Sequence, residues 1–168
     1  MELNYSKLPE KVIKVFTDQV KTEYNNASFY KAAQYYCKHR DLDNFAKWFC
    51  KQSDEEKTHA RIFGDFLLSK NIKLDMPSTD TVKSDFKNLK DLLIQSLNGE
   101  KNTTDKITLL TNVCLSEKCF QGFNVGLRML DVQIEEEKEF IDLLERVKIL
   151  EDNDDYEFIL DNNLGDEE

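Results

Sequence analysis

Glycine and proline are scarce in this sequence, and their scarcity limits the architectures that it can form. The 168 residues include five glycines and two prolines, whereas average usage would give about 20 of the two together. Turn-rich β structures need many such residues, so the composition disfavours them. The chain is 40% hydrophobic, which is too apolar for a disordered chain. The sequence therefore predicts an all-α protein built from long amphipathic helices.

Few breaks interrupt the amphipathic pattern, and their positions predict the order of the helices. The predicted helices cover about residues 8–38, 43–70, 84–117 and 120–150, followed by a short apolar segment at 156–160. The polar stretch 71–80 contains Pro77 and is long for a bundle loop, so it is interpreted as a crossover connection. Two short turns and one long connection predict a four-helix bundle of two antiparallel hairpins, with residues 1–168 as a single domain.

Charge and targeting signals narrow the classes of partner. The formal net charge of -10 disfavours nucleic acid and anionic membrane surfaces and suits a protein that handles cations. The N-terminus lacks a secretory pattern and no apolar run is long enough to span a bilayer, so a cytoplasmic location is expected. The four cysteines form no C-x-x-C pair and are predicted to be free thiols rather than zinc ligands.

Each of the four long helices carries an apolar stripe that a carboxylate interrupts. The interrupting residues are Glu23, Glu56, Glu100 and Glu136, one on each predicted helix in turn. Glu56 is followed three positions later by His59, so both side chains lie on one face of the second helix, one turn apart. Polar residues at these positions point into the bundle, where an unpaired carboxylate lowers the stability of the fold.

The spacing of these residues places them at one height in the bundle. An antiparallel hairpin that folds about residue 40 or 41 brings Glu23 opposite the turn that holds Glu56 and His59. A second hairpin that folds about residue 118 brings Glu100 next to Glu136. Four carboxylates in one layer repel one another unless protons or cations neutralise them. A pair of divalent cations would do so, and oxygen-rich ligands with one imidazole suit iron.

Tyr30 and His39 are two further side chains of interest, and only Tyr30 is predicted to lie near the layer. Tyr30 lies two turns from Glu23 on the same stripe. It is either a core tyrosine that donates a hydrogen bond to a ligand carboxylate or a redox neighbour of the metals. His39, the only other histidine, falls in the first break and is predicted to be solvated.

Four stretches of the sequence resemble a known family. They are residues 44–60, 99–107, 132–140 and 155–161, which together carry motifs from the long helices and the C-terminal segment. These stretches resemble non-haem bacterial-type ferritins. The resemblance implies a ferritin-like four-helix bundle with a long crossover between helices two and three and a short C-terminal fifth helix. It also implies a homo-oligomeric shell of twenty-four subunits.

The resemblance further implies a ferroxidase centre with two iron positions. Glu23, Glu56 and His59 would hold one iron, with Glu56 bridging. Glu100 and Glu136 would hold the second iron.

Other positions of the sequence match or depart from the family's pattern around this centre, and the departures concern haem and the second iron. Gln133 occupies the family's nearby glutamine position, and Tyr30 falls on its tyrosine beside the centre. Helix four has Gln133-x-x-Glu136 where symmetric di-iron proteins have a second Glu-x-x-His, so weaker binding of the second iron is expected. Haem is not expected, because Lys57 replaces the methionine that follows the bridging glutamate in haem-binding relatives.

The family's additional third iron site is incomplete in this sequence. Glu55, Glu135 and Glu136 fall on its ligands, but the remaining carboxylate aligns with Val132. Weak binding of a third iron is therefore expected.

Three functions remain open at this point. The first is an iron-storage protein whose ferroxidase activity oxidises Fe(II) with O2 or a peroxide and deposits Fe(III) as mineral. The second is a rubrerythrin-like di-iron peroxidase or redox enzyme without mineral storage, although no rubredoxin-like C-x-x-C pair is present. The third is a helical interaction protein whose carboxylate layer is protonated.

Overall fold

The described part of the chain, residues 8–166 of a computed structural model, consists of five α-helices joined by turns and one long connection. The helices are α1 Glu10–His39, α2 Asp43–Ser69, α3 Leu89–Ser116, α4 Phe120–Leu150 and α5 Tyr156–Asp166. Helix α1 packs mainly against α2, α3 packs mainly against α4, and α1 also contacts α3. The predicted all-α four-helix bundle with a short fifth helix is thus confirmed. Within residues 8–166, none of the helices has the length and apolarity needed to cross a membrane.

Helices α1, α2 and α3 end with the same backbone geometry. It forms the tight turns before α2 and α4 and the start of the long connection after α2. Asp41, Asn71 and Lys118 each adopt a positive φ, between 55° and 59°. The backbone N–H of the next residue then bonds back to a carbonyl five positions earlier: Leu42 to Cys37, Ile72 to Leu67 and Cys119 to Cys114. This is the Schellman ending of a helix, which reverses the chain within a few residues.

The long connection extends further than the sequence pattern indicates. The prediction that α3 begins at about Ser84 is wrong, because the helix begins at Leu89 and the connection covers residues 70–88. The Asn88 side chain accepts a backbone N–H of the first turn at 2.8 Å and so marks the start of the helix. Phe86, just before it, is buried in the core, which keeps this segment extended over the bundle rather than helical.

The core consists of two apolar clusters with a polar layer between them. The first cluster includes Tyr30, Phe45, Phe49, Leu92 and Phe140. The second includes Val12, Phe16, Phe63, Ile107 and Met129. On each long helix, a buried polar residue lies in the sequence between the segments that contribute to the two clusters. These residues are Glu23, Glu56, Glu100 and Gln133. The carboxylates therefore lie inside the bundle and have apolar packing on either side.

Helix α5 stabilises the start of α2 through a carboxylate. The residue that precedes α2, Leu42, has no capping side chain of its own. Asp161 supplies the missing acceptor, because its Oδ1 accepts the Phe45 N–H at 2.8 Å and its Oδ2 accepts the Asn44 N–H at 3.3 Å. A carboxylate at a helix N-terminus also interacts favourably with the helix dipole.

A second carboxylate of α5 serves α3 in the same manner. Glu157 accepts the Leu89 N–H through Oε1 at 2.8 Å and binds the Arg40 guanidinium through Oε2 at 2.6 Å. The fifth helix therefore closes one end of the bundle by satisfying the first turns of two long helices.

Replacing Asp161 with Ala is expected to lower the free energy of unfolding by about 2 kcal/mol, since it leaves two backbone donors without their charged acceptor. The melting temperature should fall by roughly 4–8 °C for a chain of this size. Thermal unfolding followed by circular dichroism measures the change, with Asp154→Ala in the exposed segment after α4 as the control. Equal melting temperatures for Asp161→Ala and the parent would contradict the capping role.

Candidate metal centre

The polar layer contains carboxylates from three helices at almost complete burial. Glu23 on α1, Glu56 on α2 and Glu100 on α3 have relative exposures of 1%, 2% and 1%. Glu136 on α4 and His59 on α2 are nearer the surface, with side chains 13% and 12% exposed. Five of the residues predicted from the sequence thus occupy one region of the bundle.

One half of the layer brings three potential ligands together. Glu23, Glu56 and His59 each offer one ligand atom, and these atoms all lie within 4.8 Å of one another. Glu56 and His59 are one turn apart on α2, and the tight first turn of the bundle brings Glu23 opposite them. The hairpin spacing that the sequence predicts is therefore the spacing that the structure has.

The other half is organised around Glu100. Its carboxylate accepts a short hydrogen bond from the Tyr30 hydroxyl and another from Gln133 Nε2 at 3.0 Å. Glu136 Oε1 lies 3.8 Å from His59 Nε2, while His59 Nδ1 lies 3.7 Å from Glu56 Oε2. The imidazole is therefore situated between a carboxylate of each half.

Two carboxylate oxygens in the layer have no hydrogen-bond partner. Glu23 Oε1 accepts from Gln19 Nε2 at 2.7 Å, but Glu23 Oε2 is buried without a partner among the described residues. Glu56 Oε2 is likewise buried and unpartnered in the described part of the chain. Buried acceptors are almost always satisfied, so unpaired carboxylate oxygens in the protein interior are candidates for cation ligands.

Burial and mutual repulsion make the layer difficult to ionise. Burial raises the pKa of Glu23 well above its usual range, and the charge of Glu56 raises it further. The pKa of Glu56 is also raised well above its usual range by burial, with the charges of Glu100 and Glu136 acting in the same direction. For Glu136, burial and then the charge of Glu100 raise the pKa to about 7.

Hydrogen bonds oppose this effect at Glu100. Burial raises its pKa, while the donors Tyr30 and Gln133 lower it. The Tyr30 hydroxyl has a pKa well above its usual range, because it is buried and faces Glu100. Tyr30 therefore acts as a donor to Glu100 in this structure, which is the first of the two roles that the sequence left open.

In the described part of the chain, the basic group that contacts these carboxylates is His59, and no lysine or arginine is buried beside it. Among residues 8–165, none of the lysines or arginines is buried. The layer can therefore be neutral in two ways, by holding protons or by holding cations. Oxygen ligands with a single imidazole suit a divalent transition metal such as iron.

Of the residues predicted for a third site, Glu136 lies in the layer, whereas Glu55 and Glu135 lie outside the group of Glu23, Glu56 and His59. Glu55 is half-buried and pairs with Lys51 at 3.7 Å, while Glu135 is exposed. Val132 packs against the second apolar cluster. Neither Glu55 nor Glu135 belongs to the set of ligand atoms that lie within 4.8 Å of one another.

Sequence reasoning missed two residues beside the layer. Gln19 holds Glu23, and its position one turn before Glu23 on the same face of α1 could have indicated this contact. Glu139 accepts a hydrogen bond from Gln52 Nε2 at 3.1 Å, and burial followed by the charge of Glu55 raises its pKa. Glu139 lies one turn beyond Glu136, so helical spacing alone was again a usable signal.

The chain is similar to known proteins of one family. The family model of the ferritin-like domain matches residues 13–150. The chain is 33% identical over 119 residues to ferritin BfrB of Mycobacterium tuberculosis, covering 71% of this chain but only 66% of that protein. It is 26% identical over 158 residues to a probable bacterial non-heme ferritin-like protein of Haemophilus influenzae, with 94% and 96% of the two chains covered.

Among solved structures, the open pore ferritin of the hyperthermophilic archaeon Archaeoglobus fulgidus has the same fold. The TM-score is 0.89 at 23% sequence identity, with 94% of this chain and 96% of that chain covered. The family model, which spans most of the chain, and the all-helical architecture together show that this protein belongs to the ferritin family.

Proposed function

We propose that this protein is an iron-storage ferritin that oxidises Fe(II) at the carboxylate layer and deposits Fe(III) as mineral inside a shell. The observation that supports this function most directly is the pair of buried, unpartnered oxygens on Glu23 and Glu56 beside His59. Buried acceptors in proteins normally have a hydrogen-bond partner, so a cation is the partner proposed for these oxygens.

Glu23, Glu56 and His59 are proposed to bind the first Fe(II). Gln19 holds one oxygen of Glu23 and leaves the other free for a cation. Glu56 is proposed to serve both iron positions, because it feels the charges of Glu100 and Glu136 from the other half of the layer.

Glu100 and Glu136 are proposed to bind the second Fe(II), with Gln133 holding Glu100. This position has no imidazole of its own, since helix four has Gln133-x-x-Glu136 where symmetric di-iron proteins have a second Glu-x-x-His. Both oxygens of Glu100 already accept hydrogen bonds. The second Fe(II) should therefore bind more weakly than the first.

The proposed chemistry needs an oxidant that accepts two electrons. Each of two Fe(II) ions loses one electron, so the pair can reduce O2 to peroxide, or a peroxide to two waters once two protons are added. Carboxylate ligands favour Fe(III) over Fe(II) because they are hard, negatively charged donors. Placing both ions in one layer lets a single oxidant molecule receive both electrons without diffusing between sites.

The shell is proposed from the family, as a homo-oligomer of twenty-four subunits in the cytoplasm. Several large apolar side chains lie exposed on the long helices of the isolated chain, among them Leu68, Leu109, Phe120, Ile134 and Ile149. Assembly into the proposed shell would cover part of this apolar surface.

Replacing His59 with Ala is expected to slow the initial rate of Fe(II) oxidation roughly tenfold or more, because a direct ligand should matter at least as much as its supporting residues. Stopped-flow absorbance at low iron measures the rate. His39→Ala, at the exposed last residue of α1, is the matched control. Size-exclusion chromatography should show the parent, the variant and the control as shells of equal size. A parental oxidation rate in His59→Ala would remove the first metal position from the proposal.

The third position is expected to fill only at high iron, since Glu55 and Glu135 lack the carboxylate that Val132 replaces. Val132→Glu should bind a third cation at lower iron than the parent does, and Val132→Gln, which has the same shape without the charge, should not. Anaerobic crystal soaks at graded Fe(II) concentrations measure the occupancies. A fully occupied third position in the parent at low iron would contradict this expectation.

A further inference from the structure

A chain of hydrogen bonds connects the buried Glu100 to the surface of the bundle. Gln133 Nε2 donates to Glu100 Oε2 at 3.0 Å and to the Glu100 backbone oxygen at 3.2 Å. The same nitrogen lies 3.4 Å from Thr104 Oγ1. The Thr104 hydroxyl in turn donates to Glu137 Oε1 at 2.6 Å. Glu137 is half-exposed, so the chain ends near solvent.

The register of the α3–α4 hairpin produces this chain. Thr104 follows Glu100 by four positions on α3, and Glu137 follows Gln133 by four positions on α4. Each pair therefore lies on one face of its own helix. The tight turn at residues 117–119 brings these two faces together. All residues that form these hydrogen bonds therefore lie on the two helices and none lies in a long loop.

Each hydrogen bond in this series has a defined donor and a defined acceptor. Glu137 Oε1 is the acceptor of the Thr104 hydroxyl. The single hydroxyl proton of Thr104 is therefore used toward Glu137, which leaves the threonine oxygen as an acceptor for Gln133. The amide nitrogen of Gln133, rather than its carbonyl oxygen, must then face Thr104 and Glu100.

We propose that Thr104 and Glu137 are positioning residues that fix the amide orientation of Gln133 and, through it, the carboxylate of Glu100. This inference rests on the proposed function, in which Glu100 binds the second Fe(II). Tyr30 holds one oxygen of Glu100 and Gln133 holds the other, so the carboxylate has one defined orientation. Without Thr104, the Gln133 amide would be held only by its two bonds to Glu100 itself, so the amide and the carboxylate could shift together.

The effect should be confined to the second metal position. Glu23, Glu56 and His59 lie on α1 and α2 and make none of these four hydrogen bonds. Outer residues that orient a metal ligand typically contribute 10–100-fold to affinity. A loss of roughly tenfold at the second position, with the first position unchanged, is the expected result.

The test uses Zn(II), which binds without being oxidised, so that affinity is measured apart from catalysis. Crystals of the assembled protein are soaked at graded Zn(II) concentrations, and anomalous scattering gives the occupancy of each position. Thr104→Val removes the hydroxyl and keeps the shape, whereas Thr104→Ser keeps the hydroxyl and should retain the parental affinity. Thr108→Val, at an exposed position one turn further along α3, is the matched control.

A second variant makes the result independent of packing at Thr104. Glu137→Ala leaves the threonine in place but frees its proton to point toward Gln133, so the same loss at the second position is expected. Parental occupancy at the second position in both variants would overturn the proposal, as would an equal loss at both positions. If the parent bound no Zn(II) in the layer at all, the proposed function itself would fail, which is a distinguishable outcome.

Discussion

The burial of several carboxylates in one apolar bundle is the constraint on which the rest of this structure depends. Moving an ionised carboxylate from water into a protein interior costs several kcal/mol, and neighbouring carboxylates add repulsion. Glu23, Glu56 and Glu100 are nearly inaccessible to solvent, and no buried lysine or arginine among residues 8–165 compensates them. We therefore propose that the layer carries protons when it is empty and releases them when cations bind.

The bundle is built so that this costly layer cannot rearrange easily. Apolar clusters lie on both sides of it, and Tyr30 belongs to the first cluster while donating its hydroxyl to Glu100. The Tyr30 ring stacks on Phe49 and Phe140, with ring centroids 6.0 and 5.9 Å apart. At the closed end, Asp161 and Glu157 of α5 fix the first turns of α2 and α3. The positions of the ligands thus follow from packing and capping as well as from their own contacts.

Much of this arrangement could be predicted from the sequence, because it depends on local helical spacing. Glu56 and His59 share a face by their separation of three, and the short turns fix which residues lie opposite Glu23. The start of α3 could not be predicted this way, since the burial of Phe86 and capping by Asn88 compete with helix formation before Leu89. The sequence shows the apolar pattern of α5 but not its capping of α2. That capping joins Asp161 to Phe45 and Asn44, which lie 116 and 117 positions earlier in the sequence. The family resemblance supplied the iron roles, which spacing alone does not give.

The contacts that orient the ligands were the least accessible to sequence reasoning. Gln19 and Thr104 lie one helical turn from predicted ligands, yet polar residues at such spacings are common on helices and usually face solvent. Their importance comes from the bonds that the folded structure gives them, to Glu23 and Glu137. Such residues are identified by asking where each buried donor and acceptor finds its partner.

The central claim is that protons neutralise the empty layer and cations replace them. The folded pKa values of Glu23, Glu56 and Glu136 lie above the ordinary value of 4.5, with Glu136 at about 7. The cation-free native state therefore binds protons that the unfolded chain has released, and its stability falls as pH rises from about 4.5 through about 7.

Calorimetric titration of the metal-free shell with Zn(II) at about pH 6, in buffers of different ionisation enthalpy, measures the protons released on binding. The account predicts the release of at least about one proton per pair of bound cations, and a smaller release as pH rises through about 7. Binding without proton release throughout this range would mean that the layer is already ionised when empty, and would contradict the account.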